Sequence, residues 1–227
     1  PGRTRAPAPR LPAGGRHPDS HTNPDPINAD RDPAEVRWYP AHPEQSLSLI
    51  ADTGIGSTAR IIDVGGGATT LVDHLLSAGY RNLTVLDIAA ISIERARLRL
   101  GERARQVNWL VGDVTNFTSA QPFDVWHDRA VFHFLTNEQD RAFYVESMLN
   151  ALTPDGQAII ATFSDSGPSQ CSGLEVVRYN PAALSNTLGA CFHLVETFSE
   201  EHHTPYGGLQ ESIYCRFCRN SEPATGL

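Results

Sequence analysis

An acidic residue and three consecutive glycines follow a short apolar run, in the segment Asp63-Val64-Gly65-Gly66-Gly67. Glycine lets a backbone approach a ligand closely and adopt φ values that other residues resist. A helical pattern begins just after this segment with Leu71, and a helix N-terminus offers unpaired N–H groups and positive potential to a carboxylate. The segment therefore predicts a turn that binds a small ligand through its backbone.

Two more aspartates come at the ends of the next two apolar runs. Asp87 closes the second run, 24 residues after Asp63, and Asp113 closes the third. A carboxylate at the second position can accept hydrogen bonds from both hydroxyls of a ribose. Each aspartate alone could instead cap a helix or lie in a solvated turn, and Asp113 could simply cap the segment that follows. Their joint placement favours a ribose-bearing ligand.

The polar residues His127, Asp128 and Arg129 end the fourth apolar run, and His133 follows one helical turn later. Histidine and carboxylate side chains at such a position can bind a substrate or remove a proton from it. The alternative is an ion pair, between Asp128 and Arg129 or a neighbour, that stiffens the loop. All 18 basic residues are arginines, so a lysine base or a Schiff base is excluded.

An alternation of strands and helices must position these residues. Strands are predicted over 59–64, 83–87, 107–113, 123–128 and 157–163, and helices from Leu71, over 91–100, over 139–152 and from near Pro181. The last two strands, 193–203 and 210–219, have no helix between them, so a hairpin through 205–208 should reverse the final strand. This order predicts an α/β fold.

These elements and motifs resemble the class I S-adenosylmethionine-dependent methyltransferases over about residues 35–219. The resemblance implies a Rossmann-like seven-stranded sheet with helices on both faces and an antiparallel last strand. It also implies that the cofactor lies across the carboxyl ends of the first strands. Residues 34–220 are then the methyltransferase domain, with an N-terminal lid segment.

The resemblance assigns S-adenosylmethionine as the cofactor and S-adenosylhomocysteine as its product. Asp87 would bind the ribose, Asp113 would lie beside the adenine amino group, and Val114 would pack on the ring. The family's third glycine falls at Thr69, which is a departure from the pattern. The expected cofactor contacts are Asp63, Gly65, Gly66, Gly67, Asp87, Ile88, Asp113, Val114, Trp38 and Tyr39.

A nicotinamide dehydrogenase is the rival interpretation of the glycine turn. A dinucleotide pyrophosphate is anionic and would be repelled by Asp63, whereas the cationic amino group of S-adenosylmethionine would be attracted. The dinucleotide pattern also requires glycine at position 70, where this chain has Thr70. Both observations favour the methyltransferase.

The resemblance places the segment after the fourth strand beside the sulfonium methyl. His127 is the predicted general base, with Asp128 orienting it or holding the amino end of the cofactor, and Arg129 is the third predicted catalytic residue. A base is needed only if the acceptor holds a proton, since methyl transfer is an in-line displacement on an activated carbon. The predicted substrate contacts are His133, His202, Cys171 and Tyr206, although for His202 a hydrogen-bonded structural role is an equal alternative.

The two ends of the chain have a different composition from its centre. Residues 1–33 hold 8 of the 16 prolines and are expected to form a disordered leader. The aromatic pair Trp38 and Tyr39 could fold over the cofactor as a lid or anchor the first helix in the core. Residues 221–227 are expected to be a short tail.

Composition narrows the choice of partners. The formal net charge of −8 argues against nucleic acid as a main partner, because phosphate neutralisation needs a basic patch. No stretch of 18 apolar residues is present and no apolar core follows the N-terminal arginines, so no membrane span or signal peptide is indicated. A cytoplasmic protein is expected. Cys215 and Cys218 form a CxxC on a predicted strand, where they point to opposite faces, so no metal site is expected.

The predicted function is methyl transfer from S-adenosylmethionine to a small molecule. The Asp128-Arg129 pair resembles the arrangement in small-molecule enzymes of the thiopurine and tellurite type. It is also similar to the Asp-Lys-Gly segment of certain protein-lysine methyltransferases, with arginine in place of lysine. A protein substrate, or a homologue that binds the cofactor without methyl transfer, is therefore the alternative.

Overall fold

The computed structural model describes residues 43–203 and 209–221. The expected leader over 1–33, the aromatic pair Trp38 and Tyr39, the hairpin turn with Tyr206 and all but the first residue of the expected tail lie outside the described residues. Within the ranges described, no helix reaches the length and apolar character that a membrane crossing requires.

Five α-helices and nine strands form the described part of the chain. The helices are α1 (Glu44–Asp52), α2 (Leu71–Ser77), α3 (Ala90–Leu100), α4 (Glu138–Ala151) and α5 (Pro181–Leu188). The strands are β1 (Arg60–Val64), β2 (Asn82–Asp87), β3 (Val107–Val111), β4 (Phe123–Arg129), β5 (Leu152–Phe163), β6 (Gln170–Cys171), β7 (Leu174–Glu175), β8 (Phe192–His203) and β9 (Leu209–Arg219).

Seven of these strands form one sheet in the order β3-β2-β1-β4-β5-β9-β8. Strands β1 to β5 are parallel, and β9 is antiparallel to both of its neighbours. This topology confirms the predicted seven-stranded α/β sheet with an antiparallel last strand. The strand order reverses between β1 and β4, and ligands of such sheets bind at the carboxyl ends of the strands on either side of the reversal.

Helices cover both faces of the sheet, as predicted. On one face, buried side chains of α1, α2 and α3 pack against strand residues such as Val125 and Ile159. On the other face, α4 and α5 pack against residues such as Trp126 and Ile160. Successive strand residues point to opposite faces, so neighbours on β4 belong to different layers.

Two local features differ from the predicted elements. Strand β5 begins at Leu152, whereas the sequence predicts a helix up to 152 and a strand only from 157. The pairing of β5 with β4 is irregular at this point, and Asp155 takes a left-handed φ of 61°. A small hairpin, β6 and β7, was not predicted, and it turns at Ser172 and Gly173, which both have positive φ.

Candidate functional site

The glycine turn lies at the carboxyl end of β1, where the strand order reverses. Gly65 has a φ of 70°, and its N–H donates to the carbonyl of Leu86 at 2.7 Å. A Cβ atom on Gly65 would lie 2.2 Å from the Cγ2 atom of Val131, which belongs to the loop after β4. Both the conformation and the close packing therefore require glycine here.

Asp87 joins the end of β2 to this turn. Its carboxylate accepts hydrogen bonds from the N–H of Gly67 at 3.0 Å and from the N–H of Ala89 at 2.8 Å. A Cβ atom on Gly67 would lie 2.9 Å from the Oδ2 atom of Asp87. A carboxylate has about four acceptor sites on its two oxygens, so the same group can also accept hydrogen bonds from ribose hydroxyls. Ile88, the next residue, is 37% exposed.

Asp113 caps the short 3-10 turn Val114–Asn116, which is the alternative role that the sequence allowed. Its Oδ1 atom accepts from the N–H of Thr115 at 2.9 Å and from the hydroxyl of Thr115 at 2.8 Å. Val114 is buried in the core. Contacts of Asp113 and Val114 with an adenine ring stay predictions.

Asp63 and His127 face each other across the β1–β4 pair beneath the glycine turn. The Nδ1 atom of His127 lies 2.7 Å from Oδ1 of Asp63, and its Nε2 atom lies 2.9 Å from the hydroxyl of Ser46 on α1. All three residues are buried. An ionised carboxylate only accepts hydrogen bonds, so Nδ1 carries a proton, and with a neutral ring Nε2 accepts the Ser46 hydroxyl.

The Asp63 carboxylate also supports the turn from below. A Cβ atom on Gly66 would lie 2.2 Å from the Oδ2 atom of Asp63, and the hydroxyl of Thr69 donates to Oδ2 at 3.4 Å. Asp63 therefore occupies the space that any side chain at position 66 would need. The carboxylate that orients His127 is Asp63 and not Asp128, since adjacent residues on β4 point to opposite faces.

Asp128 holds the loop that follows β4. Its carboxylate accepts from the N–H groups of Val131 at 2.8 Å and Phe132 at 3.0 Å, and from the hydroxyl of Tyr144 at 2.6 Å. Burial raises the pKa of Asp128 to about 6, against the lowering effect of these hydrogen bonds. The loop contains Ala130, whose φ of 69° is unusual for a residue other than glycine.

Arg129 points to the other face of β4, so it does not form the ion pair with Asp128 that the sequence left open. Its Nε–H donates to the hydroxyl of Tyr214 at 2.9 Å, and that hydroxyl donates to the carboxylate of Glu200 at 3.0 Å. Sequence reasoning missed Tyr214 and Glu200. They lie on β9 and β8, which β5 separates from β4, so no local signal in the sequence brings them to Arg129.

Of the four predicted substrate residues, two have side chains that the structure describes, and both are buried. His133 is buried between the rings of Phe134 and Phe163, with centroid separations of 4.6 and 5.0 Å. Burial lowers the pKa of His133 to about 3, so the ring is neutral. Cys171 is buried on β6. The side chain of His202 and the whole of Tyr206 lie outside the described residues. The contacts of these residues with a substrate stay predictions.

No metal centre is formed by the residues that the structure describes. Within 43–203 and 209–221, no three side chains of histidine, cysteine, aspartate or glutamate are grouped to hold an ion. Cys215 is buried on β9, and burial raises its pKa to about 12, which disfavours the thiolate that metal binding requires.

Comparisons with known proteins agree with this fold. Residues 61–156 match the family described as a methyltransferase domain. The chain is similar to nodulation protein S of Bradyrhizobium diazoefficiens, with 26% identity over 196 residues, 86% of this chain and 86% of that protein. It is 28% identical over 141 residues to nodulation protein S of Rhizobium tropici, where the match spans 62% of this chain and only 56% of the relative.

A solved structure has the same fold. The N-methyltransferase NodS from Bradyrhizobium japonicum WM9, crystallised in complex with S-adenosylhomocysteine, superposes with a TM-score of 0.63. The two chains are 18% identical, and the superposition covers 88% of this chain and 93% of the other.

Proposed function

This chain belongs to the class I S-adenosylmethionine-dependent methyltransferases, and we propose that it transfers the methyl group of S-adenosylmethionine to a small-molecule acceptor. The observation that carries this proposal is the glycine turn framed by two buried carboxylates. Asp63 lies beneath Gly66 and Asp87 beneath Gly67, so the turn presents backbone and not side chains to a ligand. Glycine turns of this kind allow close approach of a bound molecule.

The residues present fit S-adenosylmethionine. Asp87, at the end of β2, is the candidate partner of the ribose hydroxyls, and the exposed Ile88 beside it could cover the nucleoside. The negative charge of Asp63 and Asp87 at this edge suits a ligand with a cationic amino group and a positive sulfur, and disfavours a pyrophosphate. When bound, the cofactor supplies a carbon already activated for displacement.

The chemistry left to the protein is alignment and exclusion of water. The loop after β4 packs on the glycine turn, because the side chain of Val131 fills the space above Gly65. Asp128 fixes this loop through two backbone N–H groups. Together these contacts hold the loop after β4 in place between the cofactor turn and the acceptor side.

The role of His127 as a general base stays a prediction. Both of its ring nitrogens are engaged, by Asp63 and by Ser46, and the side chain is 1% exposed. This geometry favours a positioning role, in which the His127 ring links Ser46 on α1 to Asp63 under the glycine turn. Arg129, at the end of β4, stays a predicted catalytic residue.

Two measurements test the proposed function. Calorimetric titration with S-adenosylhomocysteine should show binding with a Kd of tens of micromolar or tighter, roughly 6 kcal/mol or more; absence of binding would contradict it. Incubation with S-adenosylmethionine labelled in the methyl group, together with a cell extract, should label the small-molecule fraction. Label confined to the protein fraction would favour the protein substrate, and label in neither fraction would favour a non-catalytic homologue.

A further inference from the structure

Strand register brings four side chains into one row at the acceptor end of the sheet. Arg129 on β4 pairs with Ala161 on β5, Ala161 pairs with Tyr214 on β9, and Tyr214 pairs with Phe198 on β8. Paired residues share a face of a sheet, and this face carries α1. Glu200 lies two residues beyond Phe198 and therefore points to the same face.

A hydrogen-bonded chain runs along this row. The Tyr214 hydroxyl accepts from Arg129 and donates to Glu200, with distances of 2.9 and 3.0 Å. Burial raises the pKa of Tyr214 to about 12, so the phenol is neutral and keeps its proton for Glu200. The hydrogen bond from Tyr214 positions the Glu200 carboxylate and uses only one of its acceptor sites.

An exposed aromatic ring lies two residues before Glu200, on the same face of β8. Phe198 is 45% exposed although it is a large apolar side chain on the same face as Glu200. A carboxylate and an exposed aromatic ring on the same face of a strand can together attract an organic ammonium group, the first through its charge and the second through the ring quadrupole. A neutral or anionic ligand would gain nothing from the carboxylate.

The charges of the surrounding loops point the same way. Around the carboxyl ends of β4 and β5 and along the hairpin of β8 and β9, the described charged side chains are six acids, Asp128, Asp165, Glu196, Glu200, Glu201 and Glu211, and four arginines, Arg129, Arg178, Arg216 and Arg219. Acids outnumber arginines, so the mean field at this end favours a cation. The Arg129 guanidinium lies on the far side of the Tyr214 hydroxyl from Glu200.

We propose that Glu200, held by Tyr214 and flanked by Phe198, binds a positively charged amino group of the acceptor. This inference rests on the proposed function and names the class of its substrate as a small organic amine. Glu200 and Phe198 are then specificity-determining residues, and Tyr214 is a positioning residue.

A direct binding experiment tests the proposal on the full chain saturated with S-adenosylhomocysteine. Calorimetry compares benzylammonium with benzyl alcohol, which has nearly the same shape and no charge. The wild-type protein should bind the ammonium at least about ten-fold more tightly. Glu200→Gln should abolish this preference, whereas Glu201→Gln, on the opposite face of β8, should keep it. Equal affinities in the wild type, or a preference that survives in Glu200→Gln, would overturn the proposal.

A labelling experiment separates this proposal from the function on which it rests. A metabolite extract is divided by ion exchange into cationic, neutral and anionic fractions, and each is incubated with methyl-labelled S-adenosylmethionine. Label in the cationic fraction, with a raised KM in Glu200→Gln and unchanged cofactor affinity, is the expected result. Label only in the other fractions overturns the amine assignment and leaves methyl transfer standing. Label in no fraction counts against methyl transfer, and calorimetry then decides the role of Glu200.

Discussion

Asp63 and His127 are 64 residues apart in the chain, yet their side chains lie 2.7 Å apart beneath the cofactor turn. The second nitrogen of the ring is used by Ser46, so one buried histidine connects β1, β4 and α1. Buried polar groups of this kind are costly unless every member has a partner. These hydrogen bonds therefore hold in place both the Asp63 carboxylate and the start of α1.

His127→Ala should weaken cofactor binding and lower stability together. Removing the ring leaves the Asp63 carboxylate and the Ser46 hydroxyl buried without this partner, at a cost of about 2–4 kcal/mol. For a domain of this size we expect Tm to fall by about 5–10 °C. Thermal unfolding and titration with S-adenosylhomocysteine measure the two effects, and affinity should fall about ten-fold.

His193→Ala is the matched control, because His193 is exposed on β8 and contacts Asn220. It should change neither Tm nor cofactor affinity. A His127→Ala protein with normal Tm and normal affinity but greatly reduced turnover would contradict the positioning role and support the predicted base.

Gly66→Ala should disrupt the cofactor turn. The new Cβ atom would lie 2.2 Å from the Oδ2 atom of Asp63, so the carboxylate or the turn must move. Because Asp63 is fixed by His127, the displacement falls on the turn, and we expect about a hundred-fold loss of affinity for S-adenosylhomocysteine. Calorimetry gives the affinity, and denaturant unfolding gives the accompanying loss of stability.

Gly56→Ala is the comparison for this variant, since a Cβ atom on Gly56 would meet nothing within 4 Å. It should bind the cofactor normally and unfold at the same denaturant concentration or slightly above it. If Gly66→Ala behaved in the same way, the tight packing between the turn and Asp63 would have no consequence for binding.

The glycine turn and the strand-end acids could be predicted because they depend on local sequence. An apolar run, an acid and glycines fix where a strand ends, and parallel strands end at the same edge of a sheet. The positions of Asp63, Asp87 and the turn follow from this rule. The capping role of Asp113 was among the alternatives for the same reason, since a cap is a local structure.

The partners of the site residues could not be predicted, because they depend on tertiary packing. Ser46 reaches His127 across 81 residues, and Tyr214 reaches Arg129 across 85 residues. Such contacts require the order and register of β1, β4, β5 and β9, which no local pattern specifies. The alternation of side chains along β4 does follow from the sequence. It predicts that His127 and Arg129 point to one face of the sheet and Asp128 to the other.

Asp87→Ala should remove discrimination for the ribose. In the wild type, S-adenosylhomocysteine should bind at least about ten-fold more tightly than its 2′-deoxy analogue, because the missing hydroxyl leaves a buried acceptor unsatisfied. Asp87→Ala should bind both ligands weakly and equally. Asp87 also holds the N–H of Gly67, so the loss of affinity alone would not identify a ribose contact.

The exposed acid Asp52, on α1, provides the control for this pair of ligands. Asp52→Ala should keep both the affinity and the preference for the ribose form. If Asp87→Ala still bound S-adenosylhomocysteine more tightly than the 2′-deoxy analogue, a residue other than Asp87 would bind the 2′-hydroxyl.

Asp128 should make stability depend on pH in an unusual direction. Its pKa is raised by burial from the ordinary value of 3.8 to about 6, so the folded state prefers the protonated form. The stability that protonation contributes is present below pH 3.8 and is lost as pH rises through about 6. An ordinary salt-bridged aspartate, with a lowered pKa, would give the opposite sign.

Asp128→Asn cannot titrate and serves as the reference. The free energy of unfolding of the wild type, minus that of Asp128→Asn, should fall by about 2 kcal/mol between pH 4 and pH 7. Urea unfolding of both proteins across this range measures the difference, in which the other titrating groups largely cancel. A wild-type advantage that grew with pH would mean that Asp128 is held as a stabilised carboxylate, and that the loop after β4 depends on its charge.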